Sequence, residues 1–347
     1  MKSILSTFCL LLLSKTLISQ VNLKEMDSLV TDGNYKEISS IVIAHKGKII
    51  FENYYNDATK ETLHNTRSST KTITGTLIGT LLQDGKIKDI KESAWKYSNI
   101  KKTQYPDARK ETISIGSLLT MSSILECDDN NELSRGQEEK MYLLEDWVQF
   151  YWDLPIKGYP EWKPKPEDQP YGRDFSYCTA GTVALGNVIH NITGSLEEYA
   201  DKALFSKLGI TDYHWQITPT GIPMTGGGLG LKSRDFIKIG QLYLNDGVWN
   251  GEQIISSDFA KASTTPKATM GDIPYEYGYL WWIGDFGTSK KERGYFMLGN
   301  GGNKIAVFDN LDLVVVITSS LFTRGIEAHN QSAELLDKYI IPSVQQL

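Results

Sequence analysis

A serine and a lysine three positions apart, opening an apolar helix, are the first residues of this chain whose types and spacing suggest chemistry. Ser68 and Lys71 begin the stretch TRSSTKTITGTLIGTLLQDGK, residues 66–86, in which Ile73, Leu77, Ile78, Leu81 and Leu82 recur at helical period. At that spacing the two side chains share one helix face, less than a turn apart. A lysine there feels the positive end of the helix dipole, and burial adds a second bias against its charged form. A neutral lysine beside a hydroxyl can take its proton and turn the serine into a nucleophile. The pair alone fits equally a serine N-cap followed by an exposed lysine. Two other Ser-x-x-Lys pairs, Ser93/Lys96 and Ser98/Lys101, lie in a polar stretch without apolar period and read as solvent-exposed.

Two further segments bear on the pair. FSYCTAGTVALGNVIH, residues 175–190, places Tyr177 just ahead of another apolar helix. LGNGGNKIAVFD, residues 298–309, is glycine-rich and leads straight into a strand, where glycines let a second backbone or a substrate come close. Trp281-Trp282 lie in a strand-like run, so one faces the core, the other the opposite side, and at most one meets a substrate.

The elements that must position these residues follow from the rest of the chain. At 347 residues, 40% hydrophobic and 22% charged, it suffices for one large or two moderate domains with a sizeable core. A net charge of −6 without a basic cluster argues against nucleic acid as a partner. The first twenty residues have a basic start, an apolar run from Ile4 to Leu13, and Ser19 before Gln20. They read as a secretory signal peptide cleaved near Ser19/Gln20, which puts the mature protein in the periplasm or outside the cell with no stable membrane span. Removing residues 1–19 takes Lys2 and Lys15, giving −6 − 2 = −8. Cys9, inside the apolar run, is a weak candidate for lipid attachment. Cys127 and Cys178 then remain; two cysteines make no disulfide framework and leave a single bridge open. With no CxxC, no HExxH and scattered histidines, no metal site is expected.

Residues 22–30 read as a short helix with Leu23, Met26 and Val30 on one face, and residues 38–55 as two strands joined at Lys46-Gly47. Helices and long loops follow, including DFIKIGQLYLNDG, capped by Ser233 in front and Gly247 behind. Strand character returns in YGYLWWIG, GYFML, NKIAVFD and LDLVVVITSS, with a hairpin turn at Asn310-Leu311-Asp312, before a final amphipathic helix that stops at Pro342. The expected architecture is α/β of the α+β kind: one antiparallel sheet of about five strands from both chain ends, flanked by terminal helices, with an inserted all-helical domain. Residues 20–66 and 270–347 would form the discontinuous sheet domain and 67–269 the mainly helical one, with the active site between them. Residues 157–172 read as a long ordered loop, where Trp152, Tyr159 and Trp162 either form an aromatic rim or pack down. TGGGLGLKS is a tight loop and no P-loop, because Leu231 stands where a second glycine is required. The absence of G-x-S-x-G argues against an α/β-hydrolase. Cys178, with no histidine paired to it in sequence, reads as a small packing residue.

Serine, lysine, tyrosine and a glycine-rich edge strand, in this order and at these separations, resemble the serine β-lactamase and D,D-peptidase superfamily. The chain is most similar to the class C-like branch, with its family VIII esterases and 6-aminohexanoate-oligomer hydrolases. SIGSLLTMSSILE and GGLGLKSRDFIKIGQLYLNDGVWNGEQIIS also resemble stretches common in that branch. The resemblance implies a β-lactamase/transpeptidase-like fold and no cofactor. Ser68 would be the nucleophile that forms an acyl-enzyme, and Lys71 its general base or proton relay. Tyr177 would share the proton network and help activate water for deacylation. The backbone N–H groups of Ser68 and Asn303 would form the oxyanion hole, one such donor being worth roughly 3 kcal/mol. Thr179, Asn300, Gly301 and Gly302 would line the substrate.

Two departures bear on the substrate. The second motif reads Tyr177-Cys178-Thr179 in place of Tyr-Ser-Asn or Tyr-Ala-Asn, and Asn300 stands where lactam and peptide hydrolases carry a lysine. The first removes an amide that would grip an acylamino carbonyl, the second a fixed cation suited to a substrate carboxylate. The expected partner is a small-molecule ester, amide or lactam, with an ester or simple amide favoured. The alternatives are a β-lactamase or D,D-peptidase, and a slowly deacylating or non-catalytic sensor of β-lactams or peptidoglycan. Oligomeric state is not encoded in these patterns.

Overall fold

The computed structural model describes residues 21–162, 164–270 and 273–347, so the expected signal segment and Cys9 lie outside the described residues. The chain divides into two units. Among the described residues, the first comprises residues 21–64, Lys232–Leu244 and Gly284–Leu347; the second comprises Asn65–Leu231 and Asn245–Ile283.

The first unit is built on an antiparallel sheet. Its strands are β1 (Ile38–His45), β2 (Lys48–Tyr54), β3 (Trp282–Phe286, of which residues 284–286 belong here), β4 (Glu292–Gly299), β5 (Asn303–Phe308) and β6 (Leu313–Ser319). They run in the order β2-β1-β6-β5-β4-β3, so this unit alone exceeds the five or so strands expected. β1 and β2 turn at Lys46 and Gly47, whose φ values of 50° and 71° are those of a two-residue hairpin loop. β5 and β6 are buried along their whole length, which accounts for their unbroken apolar runs. β5 is hydrogen-bonded on both sides and is an internal strand, contrary to the edge position expected for it.

Helices cover both faces. The helix Ser233–Leu244 packs on β1, β5 and β6, with Gly240 so close that a Cβ there would stand 2.5 Å from Val314 Cγ1. This contact explains why residues 232–244 belong to the sheet unit although they lie far from both chain ends in sequence. Ser233 is the first helical residue, and its Oγ lies 2.6 Å from Ser40 Oγ in β1, tying the helix to the sheet. On the opposite face Lys304 of β5 points toward the C-terminal helical segment that carries His329 and Asp337. That segment runs Gly325–Leu335, Leu336–Ile340 and Ile341–Val344, so Pro342 does not stop it. Pro342 falls in the first turn of the last piece, after a π-helical turn, where a missing N–H removes no essential bond. The leading helix covers residues 21–31 and buries Leu23, Met26 and Val30, as the pattern predicts.

The second unit is organised by two buried helices, Thr70–Gln83 and Thr179–Thr193, which pack against each other. The first is buried all round from Thr70 to Leu81, so its threonines need internal partners. Thr72 Oγ1 donates to Leu280 O at 2.6 Å, Thr74 Oγ1 to Thr225 O at 2.9 Å, and Thr76 Oγ1 to Thr72 O at 2.9 Å. Gly79 must be glycine, because a Cβ would meet Phe259 Cε1 at 2.5 Å. The second helix ends at Gly194 in the left-handed conformation, with φ 85°. Leu229–Leu231 pairs with His214–Trp215, so the TGGGLG stretch ends in a short strand. Trp152 is fully buried and meets Trp95 edge-on, whereas Trp162 is 88% exposed. The two tryptophans therefore form no common rim.

Candidate active site

The geometry of Ser68 is set by the turn before the helix. Arg67–Ser69 forms a 3-10 turn that runs into the helix Thr70–Gln83. Arg67 is held at φ 55°, a left-handed conformation that a non-glycine residue adopts only under constraint from its surroundings. Ser68 stays partly exposed, while Lys71 is 1% exposed. Lys71 Nζ donates to Ser68 Oγ at 3.0 Å and to Gly226 O at 2.6 Å. The alternative of a capping serine with an exposed lysine is thereby excluded; the helix N-cap is Ser69, and its side chain makes no cap bond.

Tyr177 completes a three-residue group. Lys71 Nζ lies 5.0 Å from the centre of its ring. Burial raises the Tyr177 phenol above its ordinary pKa, opposed first by the Lys71 charge and then by a hydrogen bond with Ser68. Burial thus favours the neutral form of a phenol that lies beside both Ser68 and Lys71. Half-buried Trp282 lies 5.7 Å from the Tyr177 ring and Tyr277 lies 6.5 Å from it, forming an aromatic wall. Trp281, its neighbour in sequence, is fully buried, so the alternation inferred for the pair is realised.

The residues flanking Tyr177 depart from expectation. Cys178 is no free packing residue: it forms a disulfide with Cys127 and caps the helix Thr179–Thr193. Thr179, expected against substrate, is fully buried, and its N–H and Oγ1 both donate to Asp129 Oδ2 at 2.7 Å. Its hydroxyl thus ties the turn to Asp129.

The third expected group belongs to the first unit. Asn300 is exposed, and Gly301 and Gly302 have φ of 90° and 91°. A Cβ on Gly301 would meet Phe322 Cδ1 at 2.7 Å, and one on Gly302 would meet Ala328 O at 2.5 Å. The close approach that these glycines permit is therefore that of their own unit's chain. Asn303 is 1% exposed; its Nδ2 donates to Asn300 O at 2.8 Å and its Oδ1 accepts from Ser319 N at 3.0 Å, which pins the loop at the head of β5.

Two participants were not legible in the sequence. Gly226 supplies a backbone carbonyl, which leaves no side-chain signature, and Asp129 sits in the polar run DDNNE where nothing marks it from its neighbours. Among the described residues no group of three His, Cys, Asp or Glu side chains could hold a metal ion, and no helix is long and apolar enough to cross a membrane.

A buried lysine hydrogen-bonded to a partly exposed serine, with a tyrosine ring beside the lysine, sits on helices and sheet arranged as in the β-lactamase fold. The Beta-lactamase family model matches residues 36–337, and the chain belongs to that family. A 6-aminohexanoate-dimer hydrolase of Paenarthrobacter ureafaciens is 25% identical over 158 residues, 42% of this chain and 39% of that protein, so the match spans well under half of the relative's length. Among solved structures, EstCE1, described as a hydrolase with promiscuous acyltransferase activity, superposes with a TM-score of 0.71 at 12% identity, covering 95% of this chain and 99% of its own. The octameric penicillin-binding protein homologue of Pyrococcus abyssi gives a TM-score of 0.66 at 20% identity, covering 90% of this chain and 77% of its own.

Proposed function

We propose that this chain is an extracytoplasmic serine hydrolase that opens an ester or simple amide bond through an acyl-enzyme on Ser68. The observation that carries the reading is the 3.0 Å hydrogen bond between Lys71 Nζ and Ser68 Oγ inside a site that buries the lysine. Lys71, directly or through the Tyr177 hydroxyl, takes the Ser68 proton as Oγ bonds to the substrate carbonyl carbon. The same proton passes to the departing alcohol or amine. Water then attacks the acyl carbon as its proton passes to the Tyr177 oxygen and the phenol hydrogen moves on to neutral Lys71 Nζ. That proton returns to Ser68 Oγ as the acyl C–O bond breaks and the acid leaves.

Asn300 supports the choice of bond, because it offers no fixed charge to a substrate carboxylate of the kind that lactams and peptides carry. The Paenarthrobacter relative, named for hydrolysis of a 6-aminohexanoate dimer, supports a substrate other than a β-lactam. The Cys127–Cys178 disulfide fits an oxidising compartment and so supports the secreted reading of the N-terminal segment. The deciding experiment compares p-nitrophenyl butyrate with a chromogenic cephalosporin, for wild type and Ser68→Ala. The expected result is ester turnover that Ser68→Ala abolishes, with cephalosporin turnover at least ~100-fold slower. Rapid cephalosporin turnover with feeble esterase activity would overturn the preference for esters. A stable +acyl mass on Ser68 without turnover would mark a sensor.

A further inference from the structure

The turn that carries Tyr177 is held from one short segment elsewhere in the second unit. Ser176 Oγ donates to Cys127 O at 2.6 Å, and Asp129 N donates to Tyr177 O at 2.8 Å. Cys178 is bonded covalently to Cys127, and Thr179 donates twice to Asp129 Oδ2. Every residue from 176 to 179 is thus tied to residues 127–129. The next helix begins at Thr179, so the direction in which Tyr177 leaves the chain is fixed by where these bonds place residues 176–178.

Asp129 adds to its backbone bond a side-chain oxygen that accepts two donors, and it does so at a cost. Its Oδ1 is buried and has no hydrogen-bond partner among the described residues. Burial pushes its carboxyl up to about 7, Glu138 adds to the rise, and Lys71 and the Thr179 donors oppose it. The Tyr142 and Tyr177 phenols face it as well. A segment needed only for packing would carry a neutral residue here, since leaving a buried oxygen unpaired is destabilising. Protonated or ionised, the carboxyl still presents Oδ2 to both Thr179 donors, so its geometric service holds on either side of pH 7.

We propose that Asp129 is a positioning residue for Tyr177, acting through Thr179 and the 176–178 turn rather than by touching substrate. The proposal rests on the reading of Tyr177 as proton relay given above. It assigns to Asp129 an effect on turnover and not on substrate affinity, because what it fixes is the direction of a relay group.

The test measures kcat and KM for p-nitrophenyl butyrate with Asp129→Ala, Asp129→Asn, Thr179→Val and the Asp129→Ala/Thr179→Val pair, beside Tyr177→Phe. Asp129→Ala is expected to lose at least ~10-fold in kcat with KM within ~3-fold. Asp129→Asn keeps an oxygen at the same place and is expected to recover kcat to within ~3-fold of wild type. The double variant should be no slower than Asp129→Ala, because both substitutions break one link. Should Asp129→Ala fail to fold, by its near-ultraviolet circular dichroism, Thr179→Val carries the test and must itself lower kcat with KM held. The inference is overturned by wild-type kcat in Asp129→Ala, by a change confined to KM, by an Asn variant as slow as Ala, or by additive losses in the double variant. Tyr177→Phe separates the two layers. If it retains kcat, the relay reading fails and this inference falls with it. If it loses kcat while Asp129→Ala does not, the positioning role alone is wrong.

Discussion

The indole of Trp282 lies 5.7 Å from the ring of Tyr177, while the indole of Trp281, one residue earlier, is entirely buried. Adjacent residues of one type therefore serve different ends. Trp282→Ala should leave the fold intact and lower kcat/KM for p-nitrophenyl butyrate by roughly 3- to 10-fold, the scale of one aromatic contact of about 0.5–1.5 kcal/mol. Trp281→Ala should instead destabilise the protein by about 3–5 kcal/mol, as removal of a fully buried large side chain does. Thermal melts and steady-state rates on both variants separate these outcomes; equal effects on stability would contradict the assignment.

Lys71 makes two hydrogen bonds from a buried position, one to Ser68 Oγ and one to Gly226 O. Lys71→Met removes both and should lower kcat about 10²–10⁴-fold, the usual worth of positioned acid–base chemistry. Lys71→Arg should not rescue it, because a guanidinium neither gives up its proton nor fits the space of an ammonium. Single-turnover acylation of Ser68, followed by intact mass, tells slow chemistry from weak binding.

The disulfide joins Cys127 to Cys178 across a sequence separation of 51, and Cys178 adjoins Tyr177. Reduction should cost about 2–4 kcal/mol of stability through the freed loop. It should also slow turnover, since the covalent link of the Tyr177 turn is gone. Dithiothreitol titration followed by melting and by ester hydrolysis checks both, with the Cys127→Ser/Cys178→Ser protein as the variant that must not respond further to reductant.

Lys304, on β5 in the first unit, stands over the rings of Phe286 and Phe296 at 5.3 and 5.5 Å. Burial lowers its pKa from 10.5 to about 8, with Asp337 opposing. The unfolded lysine keeps its proton up to about 10.5, so unfolding between pH 8 and 10.5 takes up a proton. This residue therefore makes stability rise with pH across that window, and its penalty is fully present below pH 8. Lys304→Met should raise the melting temperature at pH 7 and remove the slope above pH 8, which parallel melts from pH 6 to 10 would reveal. A variant less stable than wild type at pH 7 would show that the ammonium contributes more than burial costs it.

Local patterns in the chain determined the elements and the Ser68–Lys71 pair. Apolar period and turn residues mark the two buried helices, the Lys46-Gly47 hairpin and the C-terminal strands, because helix and strand periodicity are properties of neighbours in sequence. Ser68, Lys71 and Tyr177 were legible for the same reason: two share a helix turn, and the third heads a helix. Only the tertiary structure decided what approaches these elements from afar. Nothing local says that the helix Ser233–Leu244 covers the sheet, that Gly226 offers its carbonyl to Lys71, or that β5 is internal. Nor does it say that Thr179 turns inward to Asp129, 50 residues earlier, or that Cys178 finds Cys127. These contacts rest on backbone groups and on polar loops whose composition is common to every loop. Their partners are fixed by packing, and packing is a property of the folded chain as a whole.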